Sequence, residues 1–225
     1  VRKHNEDALV SLPEMGLWAV ADGAGGHSAG DFASNMIARS LSAIPPEATP
    51  QEALREVRTR ISDVHLALRQ EARQRGPDTI IASTVVVLLI RGSHFACFWA
   101  GDSRAYLLRD GVVQQITRDH SLVQELVDSG AITAEAAESH PQANIITRAV
   151  GADSDTLELD KVSGQLLIGD RFLLCSDGLC KSLSASSIQS MLAGDIGSNI
   201  AETLIQAALD GGSRDNVTAI VVATD

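Results

Sequence analysis

Aromatic residues are scarce in this chain. Two Trp, one Tyr and four Phe make up 3% of its 225 residues, so its interior has to be built mainly from Val, Ile, Leu and Ala. Long hydrophobic runs are missing as well. The stretch "STVVVLLI" at 83–90 is strand length, far below the ~20 apolar residues of a membrane span. Basic residues are outnumbered, 18 Lys and Arg against 29 Asp and Glu, for a net charge of −11. That balance argues against a nucleic-acid binder, which needs a basic stripe to meet the phosphate backbone. Cys97, Cys175 and Cys180 are the only cysteines. They show no metal-type pairing and two lie in apolar strand patterns, so buried free thiols in a reducing cytoplasm are expected. Neither a basic n-region nor a signal-type segment opens the chain, and it begins without Met, which leaves room for residues upstream.

What is present reads as globular: 44% apolar and 21% charged residues, enough for one sizeable core. No linker, repeat or low-complexity tract interrupts it, and a single domain over 1–225 is expected. Asp7–Val10 and Gly16–Ala21 read as short strands around a turn at Pro13. A helix follows from His27 to Leu41. Thr49-Pro50-Gln51-Glu52 forms a capping box with Pro at the first helical position. Leu54, Val57, Ile61, Val64 and Leu68 then repeat at threes and fours, the stripe of an amphipathic helix. Strands are expected at 83–91, 94–100, 104–109 and 112–116, the last two joined by the hairpin dipeptide Asp110-Gly111. Residues 121–149 are weakly helical, with Gly130 ending one helix and Thr133 starting another. Strands at 156–162 and 171–176, helices near 185–193 and 199–210, and a closing strand at 216–223 complete the order. Strands in runs and helices in pairs favour antiparallel, hairpin-built sheets over βαβ crossovers. The fold class is α+β, two sheets packed face to face with helix pairs outside.

Several strand ends carry carboxylates. "LWAVADGAGGH" ends an apolar strand in Asp22-Gly23, and "LLCSDG" does the same at Asp177-Gly178. "SRDNV" puts Asp215 before the closing strand, and "RKHNED" puts Glu6 and Asp7 at the start of the first. Each alone is an ordinary solvated turn. Together they would make an anionic cluster that hard cations stabilise. No His or Cys has zinc spacing. All-oxygen ligation therefore points to Mg²⁺ or Mn²⁺, and a pair of such ions is a common arrangement for phosphoryl hydrolysis.

The ordered series "RKHNED", "VADGAGGH", "AGDSRAYLLRDG", "TRDHSLV", "NIITRAVG", "LLCSDGL" and "SRDNVTAIVV" resembles the motifs of the protein phosphatase 2C family, most of all its compact bacterial serine/threonine phosphatases. The match runs from Arg2 to Val222. The resemblance implies an αββα sandwich with a small flap at about 121–147 and a two-metal site at one end of the sheets. Asp22 would bridge both ions and Gly23 would offer its carbonyl. Asp177 and Asp215 would complete one shell, and Glu6 or Asp7 would help hold the other ion. Asp119 with Asp177 would take a third, weaker ion, although a helix-capping role for Asp119 is equally open. Arg2 matches the arginine that binds the substrate phosphate, and His27 the position of a general acid. His120 and His140 are expected to be structural or surface residues. The implied reaction is hydrolysis of phosphoserine and phosphothreonine in proteins by a hydroxide bridging two divalent cations, reversing a bacterial Ser/Thr kinase. A monomeric, cytoplasmic enzyme acting on phosphorylated proteins, with no nucleic-acid or membrane partner, is the matching expectation. A catalytically silent binding module on the same fold and a different two-metal phosphohydrolase are the competing readings.

Overall fold

The computed structural model of the chain describes residues 4–25, 29–195 and 199–224. β1 (Asp7–Leu12) and β2 (Leu17–Ala24) form a hairpin through a 3₁₀ turn at Pro13–Met15, closed by Gly16 in the left-handed region. α1 (Ala29–Ser42) and the long α2 (Pro50–Arg75) follow. Thr49 caps α2 as its sequence requires. Its hydroxyl accepts from the Glu52 N–H, and the Glu52 carboxylate accepts from the Thr49 N–H at 2.8 Å. Val57, Ile61, Val64 and Leu68 are buried along one face, while Leu54 sits at the edge of the core.

β3 (Ala82–Ser83), β4 (Val85–Arg91), β5 (His94–Ala100), β6 (Arg104–Arg109) and β7 (Val112–Gln115) come next. Asp110 and Gly111 both have positive φ, 51° and 77°, the backbone that a two-residue hairpin turn demands. α3 (Leu122–Asp128) and α4 (Ala134–Glu138) lie in the flap, which a bridge between Ser121 and Ile146 closes at its base. β8 (Asp160–Gln165), β9 (Arg171–Cys175), the short α5 (Asp177–Cys180), α6 (Ala185–Leu192), α7 (Ile200–Asp210) and β10 (Ala219–Ala223) complete the chain.

The strands pair antiparallel in two sheets. The first runs β1-β2-β4-β5-β8, with β3 also on β2, and the second runs β10-β9-β6-β7. Their facing sides bury Val86, Leu88, Cys97 and Trp99 against Leu107, Phe172, Leu174 and Val222. The outer side of the first sheet packs Val85, Val87 and Phe98 against Ile37, Ile61 and Leu68 of α1 and α2. The outer side of the second packs Tyr106, Leu108 and Leu173 against Ile188, Leu192 and Leu204 of α6 and α7. Four layers result, helix–sheet–sheet–helix, and strand alternation serves both sides of each sheet. Among the described residues, Phe95 and Phe172 make a ring–ring contact between the sheets, at 5.0 Å. Cys97, Cys175 and Cys180 are free thiols, the first two buried, and burial pushes the Cys97 thiol up. Among the described residues no helix is long and apolar enough to cross a membrane.

The strands expected at 7–10 and 16–21 run on to Leu12 and Ala24, the one expected at 83–91 breaks at Thr84, and the one expected at 112–116 ends at Gln115; later strands shift as well. The strand expected at 156–162 begins only at Asp160, because Leu157 and Leu159 join the helix-side core instead. The strand expected to end at 176 stops at Cys175, and the chain turns at once into α5. The closing strand begins at Ala219 rather than Asn216.

Candidate metal centre

One end of the sandwich collects the carboxylates. β1 starts there and β2 ends there, so the register sets Asp7 directly opposite Asp22. Like charges so placed destabilise a sheet, and the pair calls for a compensating cation or a proton. Asp22 is held from behind. Its N–H donates to the Thr84 hydroxyl at 3.1 Å, and its carbonyl accepts from the Thr84 N–H at 2.8 Å and the Ser83 hydroxyl at 3.0 Å. The backbone is therefore fixed without using the carboxylate.

Asp7 is buried. Its Oδ2 accepts from Ser176 Oγ at 2.9 Å and Thr218 Oγ1 at 2.7 Å, while its Oδ1 is buried without a partner. These hydroxyls bring the ends of β9 and β10 onto β1, and with them Asp177 and Asp215, whose charges bear on Asp7. Asn216 adds a clasp, accepting from the Glu6 N–H at 3.0 Å and donating to the His4 carbonyl at 3.2 Å. The Glu6 carboxylate reaches the first turn of α1 beside the Gly23 carbonyl: a Cβ on Gly30 would stand 2.8 Å from both Glu6 Oε1 and the Gly23 carbonyl oxygen.

Two glycines let these strands close up. A Cβ on Gly23 would meet the Gly30 carbonyl oxygen at 2.1 Å, and one on Gly178 would meet the Asn216 carbonyl oxygen at 2.0 Å. The glycine that follows each of Asp22 and Asp177 is thus a requirement of packing.

A further carboxylate completes the group. Asp102, just beyond β5, is 3% exposed and its Oδ1 is buried without a partner among the described residues. It had no role in the sequence reading, although it lay in the quoted "AGDSRAY". The missed signal is an apolar strand ending in Gly-Asp instead of Asp-Gly. Lys181 was missed as well. Its Nζ donates to Asp177 Oδ2 at 2.6 Å, Asp102 Oδ2 at 3.3 Å and Asn144 Oδ1 at 3.0 Å.

The electrostatics record the crowding. Burial, then the charges of Asp177, Asp7 and Asp102, hold the Asp22 carboxyl well above the usual range. Burial raises Asp7 against the two hydroxyl hydrogen bonds. Burial and Asp177 push Asp102 up to about 6 despite Lys181. Among the described residues no three His, Cys, Asp or Glu side chains are drawn together as a closed ligand set, as expected when like charges keep apart until a cation gathers them. An all-oxygen donor set with two orphaned buried carboxylate oxygens, Asp7 Oδ1 and Asp102 Oδ1, fits a hard divalent ion.

The expected third-ion ligand behaves differently. Asp119 takes Arg104 Nε at 3.0 Å and Nη2 at 2.7 Å, and Gln115 Nε2 at 3.1 Å. Its oxygens are already satisfied by a two-point guanidinium pair, and the carboxylate that shares a cation with Asp177 is that of Asp102. His120 is structural: its Nδ1 accepts from the Gly101 N–H at 3.1 Å, its Nε2 faces Asp160, and its ring stacks on Trp99. His140 Nδ1 accepts from the Gln142 N–H in an exposed turn. Arg2 and His27 lie outside the described residues.

Comparison with known proteins gives a consistent picture. The family pattern described as protein phosphatase 2C matches residues 2–195. The serine/threonine protein phosphatase PstP of Mycobacterium tuberculosis is 36% identical over 221 residues, 98% of this chain and 42% of its own length. The chain thus spans less than half of that relative. The structure of PppA, a key regulatory component of T6SS in Pseudomonas aeruginosa, superposes with a TM-score of 0.91 at 44% identity, covering 100% of this chain and 93% of its own. The catalytic domain of PstP in complex with two manganese ions superposes at 0.87 with 34% identity, covering 100% and 94%.

Proposed function

Because the chain belongs to the protein phosphatase 2C family, we propose that it hydrolyses phosphoserine and phosphothreonine in proteins with the help of Mn²⁺ or Mg²⁺ at this carboxylate cluster. The observation that carries the reading is Asp7 set opposite Asp22 with orphaned oxygens on Asp7 and Asp102, an arrangement costly to a folded protein unless cations complete it. The two manganese ions of the PstP catalytic domain support a pair of ions here. Asp22, flanked by Asp7, Asp102 and Asp177, would be the central residue of the donor set, with the Gly23 carbonyl beside it. Asp177 and Asp215 would hold one ion. Glu6, whose carboxylate oxygen lies by the Gly23 carbonyl oxygen, would serve the other ion, with Asp7 opposite Asp22 beside it.

Bound ions of this kind supply an activated water and neutralise phosphate oxygens. The chain's own residues do the rest. Thr84 and Ser83 fix the Asp22 backbone, and Ser176 and Thr218 orient Asp7, so the cluster is organised before substrate arrives. Arg2 would hold the substrate phosphate, a role that suits a guanidinium. His27 gives a proton to the departing Ser or Thr oxygen, a poor leaving group without it. The flap at 121–147 touches the cluster through Asn144 and forms the side on which the peptide is selected. A single catalytic domain over 1–225, acting as a cytoplasmic monomer on the targets of a Ser/Thr kinase, is the physiological reading.

A phosphothreonine peptide should be turned over with Mn²⁺ or Mg²⁺ and not after chelation, and far faster than a phosphate bis-ester. Preference for the bis-ester would support a different two-metal phosphohydrolase. Mn²⁺ binding without turnover of either would support the silent binding module, although all the site carboxylates are retained.

A further inference from the structure

Lys181 is placed oddly for a surface lysine. It caps the short α5 four residues after Asp177, and its side chain runs back over that helix toward the carboxylate end of the sandwich. There its ammonium meets three oxygens from three parts of the chain: Asp177 at 2.6 Å, Asp102 at 3.3 Å and Asn144 of the flap at 3.0 Å. An ammonium has three donors and one charge, and here each donor has an acceptor. Asp102 itself is buried, with one oxygen on Lys181 and the other unpartnered. The described contacts give the Asp102 side chain no hydrogen-bond donor besides Lys181.

The geometry points to Lys181 as a tethered cation that occupies the position between Asp102 and Asp177, where two carboxylates would otherwise attract a third divalent ion. The inference rests on the reading of this cluster as a metal centre, and goes beyond it. A chain-borne ammonium is present at an effective concentration far above that of free Mn²⁺, since α5 holds it within reach. A divalent ion entering there would have to displace it, breaking three hydrogen bonds. Asp119 offers no substitute seat, because Arg104 and Gln115 hold it. The wild-type chain should therefore bind two divalent ions. The contact to Asn144 gives the lysine a second consequence: the flap is tied to the same charge that fills the site.

The test is to count bound Mn²⁺ by electron paramagnetic resonance of the free ion, during titration of the metal-free protein, with turnover left aside. Wild type should saturate at two ions. Lys181→Met, which keeps the chain length and removes the charge, should bind one more, and Lys181→Arg should return to two. The extra ion of Lys181→Met should vanish again in the Lys181→Met/Asp102→Asn double variant, which locates it. Thermal unfolding of each variant without metal verifies that the fold is kept. Three ions in wild type, or two in both wild type and Lys181→Met, would overturn the role of Lys181 while leaving the metal centre standing. No bound Mn²⁺ in wild type would overturn both.

Discussion

Replacing Asp22 by Asn should make the metal-free protein more stable and end its response to metal. The backbone of Asp22 is held by Thr84 and Ser83, and an amide of the same shape leaves those bonds alone. What changes is charge. Asp22 faces Asp177, Asp7 and Asp102, and each like-charge neighbour in a partly hydrated site costs on the order of 1 kcal/mol. Relief of that repulsion should add roughly 1–3 kcal/mol, or about 2–10 °C in Tm for a domain of this size. Wild type gains differently. An ion bound only to the folded state at about 100 times its Kd adds roughly 2.7 kcal/mol.

The two melting curves should therefore exchange order. After chelation Asp22→Asn melts above wild type; in saturating Mn²⁺ wild type rises past it, and the variant stays where it was. Phosphopeptide turnover by the variant should be lost in the same preparation. The assay is thermal unfolding followed by circular dichroism, with and without Mn²⁺. A variant that melts well below wild type without metal would mean that the Asp22 carboxylate is a structural hydrogen-bond acceptor. A variant whose Tm still climbs with Mn²⁺ would take Asp22 out of the centre.

The remaining tests probe neighbouring features. Gly178→Ala puts a methyl group 2.0 Å from the Asn216 carbonyl oxygen and should cost about 2–4 kcal/mol; Gly111→Ala, with open space around it but φ at 77°, should cost only the roughly 1–2 kcal/mol of a left-handed backbone, and a Gly178→Ala loss no larger than that would remove the close approach as the cause. Burial holds His65 below its ordinary 6.5, with its Nδ1 accepting from the Gly151 N–H and its Nε2 on the Ser154 carbonyl. Its folded value lies under its unfolded one, so the unfolded chain binds more protons; stability should be intact above about pH 6.5 and fall as pH drops from there through the folded value, a slope that urea unfolding should find flattened in His65→Gln. Asp119→Asn should loosen Arg104 at a cost of about 1–3 kcal/mol without changing the number of Mn²⁺ bound, and loss of one ion would return the ligand role to Asp119. His27→Ala should impair phosphopeptide hydrolysis far more than aryl phosphate hydrolysis, since an aryl oxide leaves without a proton; parallel losses with unchanged pH profiles would make His27 a loop residue.

The layers were legible because their signals are local. The stripe from Val57 to Leu68, the Thr49–Glu52 box and the Asp110-Gly111 turn each act within a few residues, and the structure keeps all three. The closing strand shifted where its side chains serve the cluster. "NVTAIVVA" reads as strand throughout, yet Asn216 clasps His4 and Glu6, and Thr218 donates its hydroxyl to Asp7 and its N–H to the Ser176 hydroxyl. Backbone that would have paired further is turned toward the carboxylates instead, so the ladder begins at Ala219.

The same reasoning separates the carboxylates that could be read from those that could not. Asp22 and Asp177 stood out because a glycine follows each, and the reason for that glycine is a contact under 2.2 Å with a neighbouring carbonyl. Asp102 needs no such neighbour, since the chain turns before it at Gly101, whose φ is +112°. Asp119 and Lys181 are harder still. Whether a turn Asp faces an ion or a cationic side chain depends on where Arg104 lies, fifteen residues back and across β6 and β7. Whether a lysine reaches an Asp four residues before it depends on a helical turn, and α5 is only four residues long. A helix that brief leaves no periodic trace. It exists because Gly178 packs on the Asn216 carbonyl and the Lys181 N–H returns to the Asp177 carbonyl at 2.8 Å. The contact that seats the lysine beside the metal-candidate carboxylates is therefore tertiary in origin. Substitution of Gly178 should then disturb the Lys181 ion pair as well as the fold, coupling the two sites that a linear reading keeps apart.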